Sequence, residues 1–76
     1  MAIAELNDYA KLLPLLEKLP DRQMWCSYDE EADVLYVTFQ RPLNVTDSTM
    51  TDDDVVVRYS GEQVVGYDIL HASKRL

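Results

Sequence analysis

Apolar and polar positions follow two different periods along the chain, and the change falls near Pro20. Before Pro20, apolar residues recur every three or four positions, which predicts an amphipathic helical segment over residues 1–20. Its stripe consists of Ile3, Leu6, Ala10, Leu13 and Leu16, widened by Leu12 and Leu19. After Pro20, Val, Tyr and Thr replace Leu and Ala, and this composition favours strands.

Pro14 interrupts the helical stripe. A proline in a helix interior removes a backbone hydrogen bond and costs about 3 kcal/mol. Either the helix kinks at Pro14, or a second short helix begins with Pro14 in its first turn. The sequence leaves both alternatives open, and Pro20 ends the helical segment in either case.

The remainder of the chain contains four runs of strand-forming residues. They are Met24–Tyr28, Asp33–Gln40, Val55–Tyr59 and Gln63–Leu70. In the polar segment 41–54, Leu43 and Val45 alternate with polar neighbours, so part of it should run extended along the sheet. Residues 71–76 are expected to form a loose tail. The predicted fold is α+β, with the N-terminal helical segment packed on a four-stranded antiparallel β meander.

We expect one domain over residues 1–76, with its β part at residues 24–73. A slip of one residue in register inverts every side chain of a strand, so the apolar faces select the pairing. A four-residue turn at residues 29–32 places Cys26 opposite Leu35 and Trp25 opposite Tyr36.

The last hairpin has two possible turns. A two-residue turn at residues 60–61 would bring Gly66 and Asp68 onto the face of Val57. A three-residue turn sets Val57 opposite Val65 and keeps that face apolar, so we prefer it.

The resulting sheet has two faces. The face that the helical segment should cover carries Met24, Cys26, Leu35, Val37, Phe39, Val55, Val57, Val65, Tyr67 and Ile69. The other face carries Trp25, Val34, Tyr36, Val56, Val64 and Leu70 among polar residues. Contiguous exposed apolar patches mark interaction surfaces. We therefore predict an interface of a homodimer, or with another protein, that is formed by Trp25, Tyr36, Val56, Val64 and Leu70. The alternative is that the N-terminal segment covers part of this face.

Within that interface, Trp25 and Tyr36 are the residues expected to matter most. They form a predicted cross-strand pair, and aromatic residues are enriched among those that dominate binding energy. Ordinary packing that stabilises the sheet is the simpler explanation for such a pair.

Composition narrows the class of protein. The chain has 76 residues, with 7 Lys and Arg against 14 Asp and Glu, so its net charge is −7. This charge argues against direct nucleic-acid binding, which depends on neutralising phosphates. No apolar run approaches the roughly 20 residues of a membrane helix. The early acidic residues Glu5 and Asp8 and the single cysteine, Cys26, lead us to expect a cytoplasmic protein.

Candidate chemistry is sparse, and we expect no catalytic residue, no cofactor and no metal. His71 lies near Ser73, but a nucleophilic serine needs an orienting carboxylate and an oxyanion hole. Nothing in the sequence supplies a nucleophile elbow or a glycine-rich loop. Cys26 is predicted on the buried face, where a free cysteine behaves as a small hydrophobe. The acidic turns 29–33 and 52–54 lack the alternating ligands and central glycine of a calcium loop.

Three segments carry a resemblance to a known family. They are YDEEADVLYV at residues 28–37, DDVVVRY at residues 53–59 and VGYDILHAS at residues 65–73. Together they resemble the small bacterial proteins known as domain of unknown function 2283. The resemblance implies a compact antiparallel β domain and brings no activity. Members are often encoded beside another small protein, which hints at an antitoxin role. The turn at residues 59–63 is one residue shorter than is usual in that family, and the helical segment lies outside its core.

Two hypotheses follow. The first is a non-catalytic interaction module, an acidic antitoxin-like partner of a small basic protein, because an acidic surface speeds and orients such an encounter. The alternative is a small enzyme or ligand-binding domain whose site forms at a homodimer interface. A pocket that holds Asp29, Asp33 or His71 with a strongly shifted pKa would favour the alternative. A structural protein without a ligand is a third possibility that composition leaves open.

Overall fold

The computed structural model describes residues 5–75, so Ile3 of the predicted stripe and Leu76 of the predicted tail lie outside the described residues. Two short helices, α1 (Leu6–Ala10) and α2 (Leu13–Glu17), form the helical segment. The strands are β1 (Trp25–Asp29), β2 (Val34–Thr38), β3 (Asp47–Met50), β4 (Val55–Ser60) and β5 (Gln63–Leu70). A 3-10 helix at Ala72–Arg75 follows β5. Within residues 5–75, no helix is long and apolar enough to cross a membrane.

The α+β class is confirmed, but the four-stranded meander is wrong. The sheet has five antiparallel strands in the order β1-β2-β5-β4-β3, so the last strand lies between β2 and β4. The additional strand, β3, comes from the polar segment 41–54 and forms an edge of the sheet. All four of its residues are exposed. Part of segment 41–54 was expected to run extended along the sheet, and β3 does so, but at Asp47–Met50 and not at the alternating residues Leu43 and Val45. An edge strand with two exposed faces has no apolar alternation that would locate it.

The helical segment does not kink at Pro14; instead, a second short helix begins there, which was the second alternative. Pro14 lies in the first turn of α2, where its missing N–H is not needed for a helical hydrogen bond. Leu12 precedes α2 without a side-chain cap, and Lys18 follows its last residue. Over its described residues, 5–20, the helical segment therefore contains two short helices instead of one continuous amphipathic helix.

The first hairpin has a different register from the predicted one. Cys26 lies opposite Val37 instead of Leu35, because the turn comprises residues 30–33 and closes on Asp33 with φ 56°. Aspartate tolerates this left-handed conformation better than most residues. The shift is two residues, so every side chain keeps its predicted face.

The second hairpin combines a two-residue turn with a bulge, so the predicted three-residue turn is wrong. Gly61 and Glu62 form the turn, and Gly61 has φ 62°, which glycine adopts without strain. A register shift then leaves Val65 as an extra residue and brings Val57 opposite Tyr67. Because the bulge adds one residue to β5, Val57 and Tyr67 lie directly opposite each other and both face the apolar side of the sheet, as predicted.

The buried apolar residues lie in β2 and β5, which are neighbours in the sheet. Among the described residues, only Val34 and Val65 fall into this class, with 6% and 1% of their surfaces exposed. Val34 was predicted for the less covered face and is nevertheless buried. Most of the residues predicted for the core are half-buried, so the core is thin.

The C-terminal residues are anchored, contrary to the predicted loose tail. The backbone N–H of Ala72 donates to the carbonyl of Asp33 at 3.0 Å. The Nε of Arg75 donates to the carbonyl of Leu70 at 3.0 Å, and its guanidinium also bonds the carbonyl of Asp53. These bonds fix the 3-10 helix against both turns at one end of the sheet.

Candidate functional site

A large apolar groove lies between the helical segment and one face of the sheet. Its volume is about 640 Å³. The helical segment contributes Leu12, Leu15, Lys18 and Leu19 to its walls. The sheet contributes Cys26, Leu35, Val37, Phe39, Tyr67 and Ile69, which were all predicted as core residues. Among the described residues, Lys18 is the only charged one that lines this groove.

The helical segment does not close the groove. Leu12 and Leu15 line it, yet 37% and 55% of their surfaces remain exposed. Cys26 is exposed as well, so its predicted burial beneath the helices is wrong. Each of the two helices has only five residues, so the helical segment offers few apolar side chains to the sheet and leaves much of the groove uncovered.

The opposite face of the sheet holds most of the predicted interface. Trp25, Val56 and Leu70 are half-buried there, and Tyr36 is 37% exposed. The fifth predicted residue, Val64, instead lines the groove on the other side, since it lies beside the bulge.

The predicted cross-strand pair of Trp25 and Tyr36 is wrong. Trp25 lies opposite Thr38 and Tyr36 lies opposite Ser27, so the two aromatic residues are diagonal neighbours. Both line a shallow pocket of about 260 Å³. The guanidinium of Arg41 lies 5.5 Å from the centre of the Trp25 ring, within the range of a cation–π contact. Arg41 therefore covers part of the apolar surface that Trp25 would offer to a partner.

An ion pair occupies the centre of this second face. The Nε of Arg58 on β4 lies 3.1 Å from both carboxylate oxygens of Asp68 on β5, and a terminal nitrogen of Arg58 bonds the same group. Asp68 is buried, with 8% of its surface exposed. The hydrogen bonds to Asp68 raise the pKa of Arg58 above its ordinary value. Arg58 thus pairs with the buried negative charge of Asp68, and both carboxylate oxygens of Asp68 are occupied by these hydrogen bonds.

Three residues of the segments that carried the resemblance meet at one point. The hydroxyl of Tyr28 donates to Oδ1 of Asp33 at 2.6 Å. The backbone N–H of Ser73 donates to the same oxygen at 3.0 Å, and its hydroxyl donates to Oδ2 at 2.8 Å. We call these three residues the clamp, because they join the first turn to the C-terminal 3-10 helix.

The hydrogen bonds of the clamp change the pKa values of Asp33 and Tyr28. The hydrogen bond from Tyr28 and those from Ser73 lower the pKa of Asp33 below its ordinary value. The same bond to Asp33 raises the pKa of Tyr28. Both shifts favour the charged carboxylate and the neutral phenol, which is the state in which these hydrogen bonds form. The clamp therefore joins the first turn to the C-terminal 3-10 helix.

The remaining candidate groups do not assemble into a catalytic site. Nε2 of His71 lies 3.8 Å from a carboxylate oxygen of Asp54, and both side chains are exposed. The hydroxyl of Ser73 donates to Asp33, so it is not paired with His71. Within residues 5–75, no group of three or more His, Cys, Asp or Glu side chains is placed to hold a metal ion.

Half of the acidic residues lie at one end of the sheet. The turn of residues 29–33 and the turn of residues 51–54 meet there, since Leu70 donates to the carbonyl of Asp54 at 3.1 Å while Ala72 bonds Asp33. Seven of the 14 Asp and Glu residues belong to these turns: Asp29, Glu30, Glu31, Asp33, Asp52, Asp53 and Asp54. We call this region the acidic end. It adjoins the end of the groove near Leu35.

These features define a small α+β protein in which a five-stranded antiparallel sheet carries a short helical segment on one face. Residues 25–73 match the family described as "Protein of unknown function (DUF2283)", and the chain belongs to that family. The resemblance noted in the sequence is thus confirmed. The match begins at β1 and ends at Ser73 of the clamp, so the helical segment lies outside it. The comparisons with curated proteins and with solved structures gave no match.

Sequence reasoning did not identify the clamp or the groove as features. The signal for the clamp was present, because Tyr28, Asp33 and Ser73 all belong to the segments that carried the resemblance. The groove had no separate signal, since residues that line an open groove have the same apolar pattern as residues of a closed core.

Proposed function

We propose that this protein is a non-catalytic protein–protein interaction module whose binding surface is the groove. The observation that carries the proposal is that the groove is apolar and remains open, with its walls partly exposed. Burying apolar surface contributes about 25 cal/mol for each Å² removed from water. A protein that fills the groove would gain this free energy and would also complete the thin core.

The acidic end supports a finer proposal, that the protein acts as the antitoxin-like partner of a small basic protein. Six of its seven acidic residues are exposed, and they would speed and orient the approach of a basic surface. None of the seven acidic residues lines the groove. A single cysteine fits a reducing compartment, so we place the module in the cytoplasm.

The groove also lends some support to the alternative, a ligand-binding domain. Its volume of about 640 Å³ lies within the range of small-molecule pockets, which is roughly 300–1,000 Å³. Such pockets normally add a few convergent polar groups that orient the ligand. Lys18 is the only charged lining residue among those described, and the clamp, with its shifted pKa values, is not part of the lining. We therefore favour a protein partner.

Two neighbouring residues on β1 provide the test. Cys26 lines the groove and also borders the shallow pocket beside Trp25, whereas Ser27 lines only that shallow pocket. Both residues are exposed on the edge strand β1. Tagged protein carrying Cys26→Glu or Ser27→Glu is captured from its host, with an untagged copy of the wild-type chain co-expressed. Mass spectrometry then identifies the proteins that are recovered in stoichiometric amounts.

We expect Cys26→Glu to lose a protein that both the wild type and Ser27→Glu retain, because a charge in the groove opposes its burial. The opposite result would place the interface on the face of Trp25 and Tyr36. If neither substitution changes what is captured, the groove is not a protein-binding surface and the proposal fails.

The acidic end is tested separately. Replacing Asp52, Asp53 and Asp54 by Asn should weaken the capture of a basic partner and reduce its dependence on salt, since attraction between exposed charges is screened. Equal capture at low and high salt would contradict an acidic docking surface.

A further inference from the structure

We propose that the occupant of the groove is a second copy of this chain, and that the two copies exchange apolar side chains of their helical segments across a two-fold axis. This inference rests on the proposed function, because it names the partner of the same groove. Three independent features carry it: a complementary surface on the same chain, the area that each chain exposes, and the distribution of charge.

The helical segment offers a surface that could fill such a groove. Leu6, Tyr9 and Leu13 have 86%, 51% and 59% of their surfaces exposed. Their spacing of three and four residues is typical of one side of a helical segment. We call these three residues the ridge. A two-fold interface requires both complementary halves on one chain, and here the ridge and the groove are both present.

The exposed area is larger than the mass of the chain requires. The folded chain exposes 6174 Å², whereas a compact monomer of 8.8 kDa exposes roughly 4,800 Å². The difference is about 1,400 Å² for each chain. A standard interface takes about 800 Å² from each partner, so the chain exposes enough surface for a contact of that size.

The charges permit a symmetric contact at the groove despite the net charge of −7. Lys18 is the only charged residue among the described lining, while seven carboxylates lie at the acidic end. A two-fold axis perpendicular to the strands would place the two acidic ends at opposite extremes of the dimer. This arrangement keeps like charges apart and leaves both acidic ends free for a basic partner.

The single cysteine gives a direct readout of the groove. Light scattering measures the mass of the full chain over a range of protein concentrations, and the alkylation rate of Cys26 by iodoacetamide is measured over the same range. We expect a mass of twice the 8.8 kDa of the chain at high concentration. We also expect Cys26 alkylation to slow as the dimer fraction rises, because the ridge of the partner would cover the thiol.

Leu13→Glu tests the ridge, and Leu43→Glu is its matched control. Leu43 is a 43% exposed leucine of the segment that joins β2 to β3, outside both ridge and groove. Leu13→Glu should raise the dimer dissociation constant by about a hundredfold, since the lost contact occurs twice and each buried leucine contributes tenfold or more. Leu43→Glu should leave the dimer intact. Circular dichroism verifies that both variants are folded.

Three results would overturn the inference: a wild-type monomer, equal dimerisation of Leu13→Glu and Leu43→Glu, or a Cys26 alkylation rate that does not depend on concentration. The last criterion uses unaltered protein, so it holds even where Leu13→Glu does not fold. A monomer that still captures another protein in a Cys26→Glu-sensitive manner refutes this inference alone. A monomer without such capture refutes the proposed function as well.

Discussion

At the scale of single residues, the clamp explains why two distant sequence segments occur together in this chain. Asp33 accepts hydrogen bonds from Tyr28, five positions before it, and from Ser73, 40 positions after it. A left-handed backbone at Asp33, with φ 56°, directs the turn toward these partners. The carboxylate thus fixes both the first turn and the C-terminal 3-10 helix.

The clamp predicts a pH dependence of stability. The pKa of Asp33 is lowered from 3.8, so its stabilising contribution is fully present above pH 3.8 and is lost as the pH falls through the lower folded value. The difference in unfolding free energy between wild type and Asp33→Asn should therefore be constant near neutral pH and shrink in acid. Urea unfolding from pH 7 to pH 2 measures it.

Asp52→Asn is the control for that experiment, since Asp52 is an exposed carboxylate at the same end of the sheet. It should change the stability little at any pH. The pKa of Tyr28 is raised from 10.0, so the contribution of its hydroxyl should be lost only as the pH rises above 10.0. A difference for Asp33→Asn that persists unchanged at the lowest pH would contradict the ionic character of the clamp.

Gly66 is required by a close approach between β5 and β2. A Cβ added at Gly66 would lie 2.9 Å from the carbonyl oxygen of Val37 and 3.2 Å from Cγ2 of Thr38. The nearer atom is backbone and cannot move without separating the strands. Gly66→Ala should therefore destabilise the fold by about 1–3 kcal/mol, the usual cost of overpacking.

Thermal or urea unfolding would measure the effect of Gly66→Ala. Gly61→Asn is a suitable comparison, since an added Cβ at Gly61 meets nothing within 4 Å and asparagine tolerates its positive φ. We expect Gly61→Asn to cost less than Gly66→Ala. Equal stability of Gly66→Ala and wild type would mean that β2 and β5 can separate at this point without a cost in free energy.

At the scale of elements, the sheet is held across its second face by the ion pair between β4 and β5. Asp68 is buried, and removing Arg58 leaves its carboxylate without these partners. We expect Arg58→Met to cost about 1–3 kcal/mol, the range for a buried polar group left unsatisfied. The further substitution Asp68→Asn should recover part of this loss because it removes the buried charge.

A double-mutant cycle of Arg58→Met and Asp68→Asn, measured by urea unfolding, isolates the coupling between the two side chains. Additive effects would show that the pair contributes through packing alone.

The same elements show how much of the fold the sequence could predict. The strands β1, β2, β4 and β5 were predicted because alternation and β-branched residues mark half-buried strands. Faces were predicted more reliably than registers, since a shift of two residues, as at Cys26, preserves the face. An extended stretch within segment 41–54 was predicted, but the bounds of β3 and its place as a fifth strand were not, because all four of its residues are exposed.

The candidate site was less predictable than the fold. The stripe of the helical segment and the apolar face of the sheet were both recognised, and they were expected to close on each other. Whether such surfaces close depends on helix length and on the orientation after Pro14, which the apolar pattern does not contain. The anchored C-terminus likewise depends on a hydrogen bond between Asp33 and Ser73, far apart in sequence.

At the scale of the whole molecule, the thin core and the open groove both limit the stability of a single chain. Small domains bury only about three-fifths of the surface of their unfolded chain, so they are marginally stable. Among the described residues, only Val34 and Val65 of the apolar side chains are buried here. Filling the groove with a second copy would bury the exposed leucines and couple folding to association.

This coupling predicts that the melting temperature depends on protein concentration. For a dimer that unfolds to two chains, tenfold dilution removes about 0.7 kcal/mol from each chain, which lowers the melting temperature by about 3–5 °C in a domain of this size. Calorimetry across two decades of concentration would measure the effect. Leu43→Glu should show the same slope as wild type, and Leu13→Glu should melt lower and lose the slope. A melting temperature that is independent of concentration in all three proteins would mean that the single chain is stable with its groove open.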